Sequence, residues 1–273
     1  MRNDLSTLLS PVQLMALSAA RKAADAILEI YRSGSFEAER KADESPLTIA
    51  DKAAHSIITG ILSESGFPVL SEEGMQTDFE VRKNWETFWL VDPLDGTREF
   101  LKQNGEFTVN IALMKDSIPV FGVIAIPVDG TVYFGPADDG MVYRMSENDG
   151  IKALNPIMAS GANLSGIDGE LNSEIHTRVV ASRSHRDTMT DDFISRLSNP
   201  VLVSKGSSLK FLLLAEGQAD VYPRFAPTME WDTAAADAIL RPLNISIRRT
   251  EDGNKLEYNK RNLLNPFFIC RPD

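Results

Sequence analysis

Apolar residues recur at helical spacing from the start of the chain: Leu14, Leu17, Ala20, Ala24, Ile27, Leu28 and Tyr31 form one stripe between Ser10-Pro11 and Ser33-Gly34. Serine before proline suits a helix cap and first turn, and glycine suits the position just past a helix end, so the spacing predicts one long amphipathic helix. After a charged connector and Ser45-Pro46, a second stripe opens at Thr48-Ile49-Ala50-Asp51, runs through Ala54, Ile57, Ile58, Ile61 and Leu62, and stops before Gly66. The period then changes. Residues 67–70 read as a short strand, and Phe88-Trp89-Leu90-Val91 as an apolar, buried one.

A short helical turn to about Leu101 is followed by a meander of strands over 107–114, 120–128, 131–135 and 141–145. Asp129-Gly130 between two of the apolar runs is a good hairpin signal, and these strands read as scaffold. Between about Asn155 and Ile175 the chain becomes rich in Gly, Ser and Asn, the expected boundary between an N-terminal α+β lobe, residues 1–155, and a C-terminal lobe, residues 156–273. Beyond it, strands at 178–182, 200–203, 220–222, 245–248 and 267–269 alternate with helices at 190–197, 209–216 and 233–240, an α/β pattern.

The 273 residues suffice for a large core. A net charge of −11, from 39 acidic and 28 basic residues, argues against a nucleic-acid polymer as partner. Small phosphorylated substrates stay open, because metal ions invert the local sign. The single cysteine, Cys270, excludes an intrachain disulfide, and His55, His176 and His185 lack zinc-site spacing. With no signal-peptide pattern and no run of apolar residues long enough to span a bilayer, a cytoplasmic protein is expected.

Candidate chemistry gathers where the apolar strand meets Asp92-Pro93-Leu94-Asp95-Gly96-Thr97. The strand is expected to end at Val91; Pro93 keeps Asp92 extended, Leu94 can turn its carbonyl into the same space, and Gly96-Thr97 opens a helix suited to an anion. A plain strand, proline turn and helix cap is the competing reading. Similar pairs of readings attend the other candidates. Thr48-x-x-Asp51 matches a capping box, Glu72-Glu73 just past residue 70 matches a charged turn, and Asp232 suits the cap of an alanine-rich helix. Small residues behind Asp232 would let that helix pack close to a neighbour and fix its carboxylate. Gly206-Ser207-Ser208-Leu209-Lys210 reads either as a phosphate-binding turn with a lysine or as ordinary capping serines beside a surface lysine. Ser182-Arg183-Ser184-His185 and Arg224 also bring polar groups to strand ends.

Asp51, Glu72-Glu73, Asp92-Pro93-Leu94-Asp95-Gly96-Thr97 and Trp231-Asp232 together resemble the metal-binding signatures of the lithium-sensitive, magnesium-dependent phosphatases of the inositol monophosphatase superfamily. Val69-Leu70-Ser71-Glu72-Glu73, Gly105-Glu106-Phe107-Thr108-Val109-Asn110, the 182–185 and 206–210 stretches and Tyr222-Pro223-Arg224-Phe225 look most like its CysQ-type 3′(2′),5′-bisphosphate nucleotidase branch. That branch removes the 3′-phosphate of adenosine 3′,5′-bisphosphate, leaving AMP, in connection with sulfate assimilation.

The resemblance implies a layered αβαβα sandwich, with the site between lobes. It also implies two or three Mg²⁺ ions per site, inhibition by Li⁺, a small nucleotide bisphosphate as substrate, and a monomer or homodimer in the cytoplasm or peripheral to the cytoplasmic face of the inner membrane. Glu72, Asp92, the Leu94 carbonyl, Asp95 and Asp232 become metal ligands, with Asp51 near a further ion. Glu72, Thr97 and Asp51 position and activate water, and Gly96 and Thr97 hold phosphate. Ser182, His185, Gly206, Ser207, Ser208, Lys210 and Arg224 are the further substrate contacts. Ala236 departs from the family, which commonly has glycine there. Inositol monophosphatase and fructose-1,6-bisphosphatase activities, and a non-catalytic nucleotide or metal sensor, are the alternatives.

Overall fold

In a computed structural model, which describes residues 5–34, 38–40, 46–75, 77–157, 176–182 and 188–273, both helical stripes fold as helices. After the single turn α1 (Leu5–Leu8), α2 (Pro11–Ser33) starts from a reciprocal cap between Ser10 and Gln13 and ends on Gly34 at φ 69°. The pair β1 (Ala38–Arg40) and β2 (Pro46–Thr48) leads into α3 (Ile49–Leu62).

A seven-stranded sheet follows, its strands neighbouring one another in chain order: β3 (Val69–Ser71), β4 (Thr87–Asp95), β5 (Thr108–Lys115), β6 (Ile118–Ile126), β7 (Thr131–Gly135), β8 (Val142–Ser146) and β9 (Gly150–Leu154). The short helices α4 (Phe79–Arg82) and α5 (Thr97–Leu101) flank β4. Only β3 and β4 pair in parallel; the others are antiparallel. Strand β9 has no counterpart in the sequence reading, because most of this edge strand is exposed and it carries no apolar run.

In the second half, β10 (Thr177–Ser182) and β11 (Pro200–Lys205) pair in parallel around α6 (Thr188–Ser195). Then come α7 (Leu209–Ala215), β12 (Tyr222–Arg224), α8 (Glu230–Leu240), β13 (Ile245–Arg249) and β14 (Phe268–Pro272). The last three strands form an antiparallel sheet in the order β12-β14-β13, and a Val179–Val221 bridge ties β10 to the chain entering β12. Several boundaries differ from expectation, and two in this half bear on the site. The strand read at 220–222 lies at Tyr222–Arg224, and the helix read from 233 begins at Glu230. Glu230 is fully buried and accepts from the backbone N–H groups of Asn259 and Lys260, which anchors it as the first helical residue.

Alternation along β4 sets the layers. Trp89 and Val91 face α2 and α3, in a core that also takes Ile27, Ile58, Ile111 and Val123. Phe88 and Leu90 face the opposite way, toward α7, α8 and the Ile247, Phe268 and Cys270 side of the second sheet. Helix α6 covers the far side through Ile194, against Val179 and Val221. The order is α2/α3, large sheet, α7/α8, smaller strands, α6: the expected αβαβα sandwich. Among the described residues no helix is long and apolar enough to cross a membrane.

Helix α8 lies almost in contact with the sheet backbone. A Cβ on Gly122 of β6 would fall 2.2 Å from the Ala235 carbonyl oxygen, far inside contact distance. The small residues after Asp232, Ala236 included, thus serve the close packing that the sequence suggested. Gly122→Ala is expected to destabilise the protein by about 3 kcal/mol, the upper end of ordinary overpacking, because backbone rather than a flexible side chain must move. Gly60→Ala, on exposed helix with nothing within 4 Å of the added Cβ, is the control and should be neutral or stabilise by up to about 1 kcal/mol. Chemical denaturation of the two variants checks the contrast.

Candidate active site

Strand β4 carries the first two aspartates, and it does not stop at Val91. It continues to Asp95, with Asp92 paired to Asn110 and Asp95 to Thr108, so three steps along β4 match two along β5. This is a β-bulge, which re-aims side chains and sharpens the local twist. Pro93 falls inside the irregularity, where its missing N–H removes no ladder hydrogen bond. Leu94 N donates to Asp92 Oδ1 at 3.0 Å, turning the segment back on itself. Gly96 follows at φ 95°, and a Cβ there would lie 3.0 Å from the Glu106 carbonyl oxygen.

The parallel pairing of β3 with β4 sets Ser71 beside Val91, and Glu72 N then donates to Val91 O at 3.0 Å. Glu72 therefore stands level with Asp92. From the other half of the chain, α8 delivers Asp232 at the third position of its first turn rather than as its cap; its Oδ2 accepts from Met229 N at 2.8 Å. Asp92, Asp95 and Asp232 each offer an oxygen, all within 4.8 Å of one another. Glu72 belongs to the same charge cluster without joining that tight trio.

Asp51 makes the capping box and reaches the β4 motif as well. Its Oδ2 accepts from Thr48 N at 2.7 Å and from the Thr48 hydroxyl at 2.5 Å, completing the capping box of α3. Its Oδ1 accepts from the Thr97 hydroxyl at 3.1 Å, with the Leu94 carbonyl 3.3 Å from the same hydroxyl. Helix α3 thereby holds a residue of the β4 motif through a carboxylate that is 1% exposed.

Like charges this close raise one another. Asp92 is pushed well above the ordinary carboxylate range, first by burial and then by Glu72, Asp95 and Asp232. Asp232 is pushed up to about 8 by burial, then by Asp95 and Glu72, against the opposing hydrogen bond from Met229. Along the cleft, Arg98, Lys210 and Arg224 are too few to balance Glu72, Asp92, Asp95, Glu99 and Asp232. The donor set is all hard oxygen and its negative charge outweighs nearby positive charge, which fits a divalent cation.

The carboxylates open on a cleft of about 630 Å³ that also exposes Thr97, Ser207, Lys210 and Arg224. Lys210 is buried, not a surface lysine: its Nζ donates to the Ser207 carbonyl at 2.6 Å and sits 5.5 Å from the Tyr222 ring centre. Burial lowers its ammonium pKa to about 8. Arg224 donates to the carbonyls of Ala226 and Pro227. The hydroxyls of Ser207 and Ser208, read as phosphate contacts, both donate to Asp95 Oδ2, at 2.7 and 2.8 Å. Gly206 N donates to Glu106 Oε2 at 2.9 Å. Ser182 ends β10, but its side chain, like the whole of His185, lies outside the described residues.

Thr108 and Asn110, read as scaffold, belong to the site. Thr108 lies 2.7 Å from the Ser207 hydroxyl, and Asn110 Nδ2 donates to Ser208 at 2.9 Å and reaches Asp95 at 3.4 Å. The available signal was two polar residues, two positions apart, on one face of an otherwise apolar strand.

A family model described as the inositol monophosphatase family matches residues 8–265. The 3′(2′),5′-bisphosphate nucleotidase CysQ of Salmonella typhimurium is 42% identical over 253 residues, 91% of this chain and 95% of its own. A crystal structure of CysQ from Bacteroides thetaiotaomicron, 45% identical, superposes with a TM-score of 0.77 over 95% of this chain and 96% of that one. The extragenic suppressor protein suhB from Bartonella henselae, 21% identical, has the same fold with a TM-score of 0.74 over 97% of this chain and 95% of that one. Layers, carboxylate trio and sequence agree: the chain belongs to the inositol monophosphatase family.

Proposed function

We propose that the chain is a magnesium-dependent phosphatase that hydrolyses the 3′-phosphate of adenosine 3′,5′-bisphosphate to AMP. The observation that carries this reading is the convergence of Asp92, Asp95 and Asp232 within 4.8 Å, on the cleft that Thr97 shares. The curated relatives bearing the name 3′(2′),5′-bisphosphate nucleotidase support the choice of substrate. The same relationship favours the cytoplasm and sensitivity to Li⁺.

Glu72, Asp92, the Leu94 carbonyl, Asp95 and Asp232 hold the ions, with Asp51 beside a further one. When bound, Mg²⁺ lowers the pKa of a water and offsets charge on the phosphoryl oxygens. The Thr97 hydroxyl, its proton directed at Asp51, turns a lone pair toward the attacking water and orients it; Glu72 takes that water's proton as its oxygen bonds to phosphorus, the bond from phosphorus to the ribose 3′ oxygen breaks, and that oxygen takes a proton from solvent. Gly96 and Thr97, at the start of α5, receive phosphate on backbone N–H groups. An ammonium has three donors, so Lys210, with one on Ser207 O, keeps capacity for a second phosphate beside Arg224. Ser182 and His185 complete the substrate side, and the Gly206-Ser207-Ser208 turn, its N–H and hydroxyls engaged by Glu106 and Asp95, serves as wall.

Phosphate release from adenosine 3′,5′-bisphosphate, its sulfated analogue, inositol 1-phosphate and fructose 1,6-bisphosphate, with and without Mg²⁺ and Li⁺, tests the reading. The two nucleotides are expected to be the best substrates, only with Mg²⁺, and to be inhibited by Li⁺. Fastest release from inositol 1-phosphate would overturn the choice of substrate, and no release from any compound would overturn the activity.

Asp95→Asn should lower Mg²⁺-dependent turnover on the order of 100-fold or more, since loss of an outer-shell partner alone typically costs about 10–100-fold. Its circular dichroism should be unchanged; retained turnover would remove Asp95 from the ligand set. Lys210→Met, which keeps the apolar stem, should raise KM for the bisphosphate about 10-fold while sparing a monophosphate. Because an ammonium is lost as pH rises through its pKa, wild-type KM for the bisphosphate should also climb above about pH 8, and this rise should vanish in Lys210→Met. Steady-state kinetics between pH 6.5 and 9.5, roughly spanning that pKa, measure both effects.

A further inference from the structure

An ionised carboxylate has two oxygens with about two lone-pair directions each. At Asp95, both directions of Oδ2 are taken by Ser207 Oγ at 2.7 Å and Ser208 Oγ at 2.8 Å, with Asn110 Nδ2 approaching at 3.4 Å. These donors are themselves aimed. Asn110 Nδ2 donates to Ser208 Oγ at 2.9 Å, and the single Ser208 proton has Asp95 Oδ2 at 2.8 Å as a nearer acceptor than the Asp232 carbonyl at 3.3 Å. Thr108 Oγ1, 2.7 Å from Ser207 Oγ and 3.0 Å from Asn110 Oδ1, has one proton for the two; given to Ser207, it leaves the Ser207 proton to Asp95. Thr108, Asn110 and Ser208 are each at most 1% exposed, which shields the bonds among them from water, while Ser207 and Asp95 are half-buried at the cleft.

The backbone is arranged to bring the serines in. Ser207 holds φ 50°, a left-handed conformation unfavourable for a residue with a Cβ. Gly206 packs so tightly that a Cβ would lie 2.8 Å from Glu99 Cγ and 3.0 Å from the Glu106 carbonyl oxygen. Asp92 and Asp232 also have an oxygen engaged by a backbone donor, Oδ1 by Leu94 N and Oδ2 by Met229 N, but neither receives two hydroxyls on one oxygen.

We infer that Ser207 and Ser208, aimed by Thr108 and Asn110, lock Asp95 into presenting one oxygen, and so bias the site toward a small six-coordinate cation over a larger one. The inference rests on the metal-binding role proposed above for Asp95. Mg²⁺ demands near-octahedral geometry, whereas Ca²⁺ accepts about six to eight oxygens and readily takes a carboxylate through both. Closing Oδ2 removes the two-oxygen mode at Asp95 and leaves the one-oxygen mode intact. Thr108 and Asn110 are positioning residues: they act on the ion through the serines and Asp95.

The test is calorimetric titration of the full chain with MgCl₂ and with CaCl₂, without nucleotide, which reads binding rather than turnover. Variants are Ser207→Gly/Ser208→Ala, which frees Oδ2 and relieves the left-handed backbone at 207, and Ser208→Thr, which keeps the hydroxyl. The Mg²⁺/Ca²⁺ affinity ratio is expected to fall roughly 10-fold in the double variant, the scale of outer-shell effects, and to stay near wild type in Ser208→Thr. Thermal denaturation confirms folding; should the double variant unfold, Thr108→Val, close in shape and acting on Asp95 through Ser207, should shift the ratio in the same direction by less. A merely structural role would weaken both ions together. An unchanged ratio in a folded variant overturns the lock but leaves the metal site standing, whereas a wild-type chain that binds neither ion overturns both.

Discussion

The demanding interaction in this fold is repulsion. Two unit charges about 4 Å apart repel by roughly 4 kcal/mol at an effective dielectric of about 20, and a domain's whole stability is only about 5–15 kcal/mol. Asp92, Asp95 and Asp232 stand within 4.8 Å of one another with Glu72 beside them. Such an arrangement persists only if its neighbours over-determine it. The bulge in β4, the buried first turn of α8 and the hydroxyls of the 206–208 turn each remove a way for the carboxylates to separate. In the absence of a cation, the raised proton affinity of Asp92 and Asp232 is the remaining relief.

Much of this was readable beforehand, and the parts that were not share a cause. Helices α2 and α3 are written in local signals, with apolar period, cap and terminal glycine within one stretch of chain. The β4 motif is likewise local, so its aspartates and Thr97 could be singled out. What could not be read depends on residues distant in sequence. Ser208 reaches Asp95 across 113 positions, and nothing near Ser208 distinguishes a hydroxyl that serves a carboxylate from one that caps a helix. Lys210 looks like any lysine until Tyr222 and the rest of the cleft wall bury it. Glu230 moved the start of α8 by three residues because its partners, Asn259 and Lys260, lie in a segment without regular structure.

Asp51 shows why weighing two readings against each other can mislead. A capping box and a contact to the β4 motif compete for one carboxylate on paper, but each uses a different oxygen. The cap fixes the side-chain torsions, and a fixed torsion is what the second oxygen needs in order to hold Thr97 in one place. Local stability and site geometry are here the same contact seen from two sides. The same economy holds at Asp232, where the Met229 hydrogen bond both closes the helix start and sets the carboxylate plane.

The contact between Gly122 and the Ala235 carbonyl has a consequence for tolerance. Because α8 rests on β6 through main chain, the distance from Asp232 to the aspartates of β4 is a backbone dimension, not one set by the volumes of intervening side chains. Apolar residues elsewhere in the two cores can therefore exchange for others of similar bulk without opening or narrowing the gap between the carboxylates. The aperture of the site is insulated from drift in the core around it, and the burden of preserving it falls on a residue with no side chain.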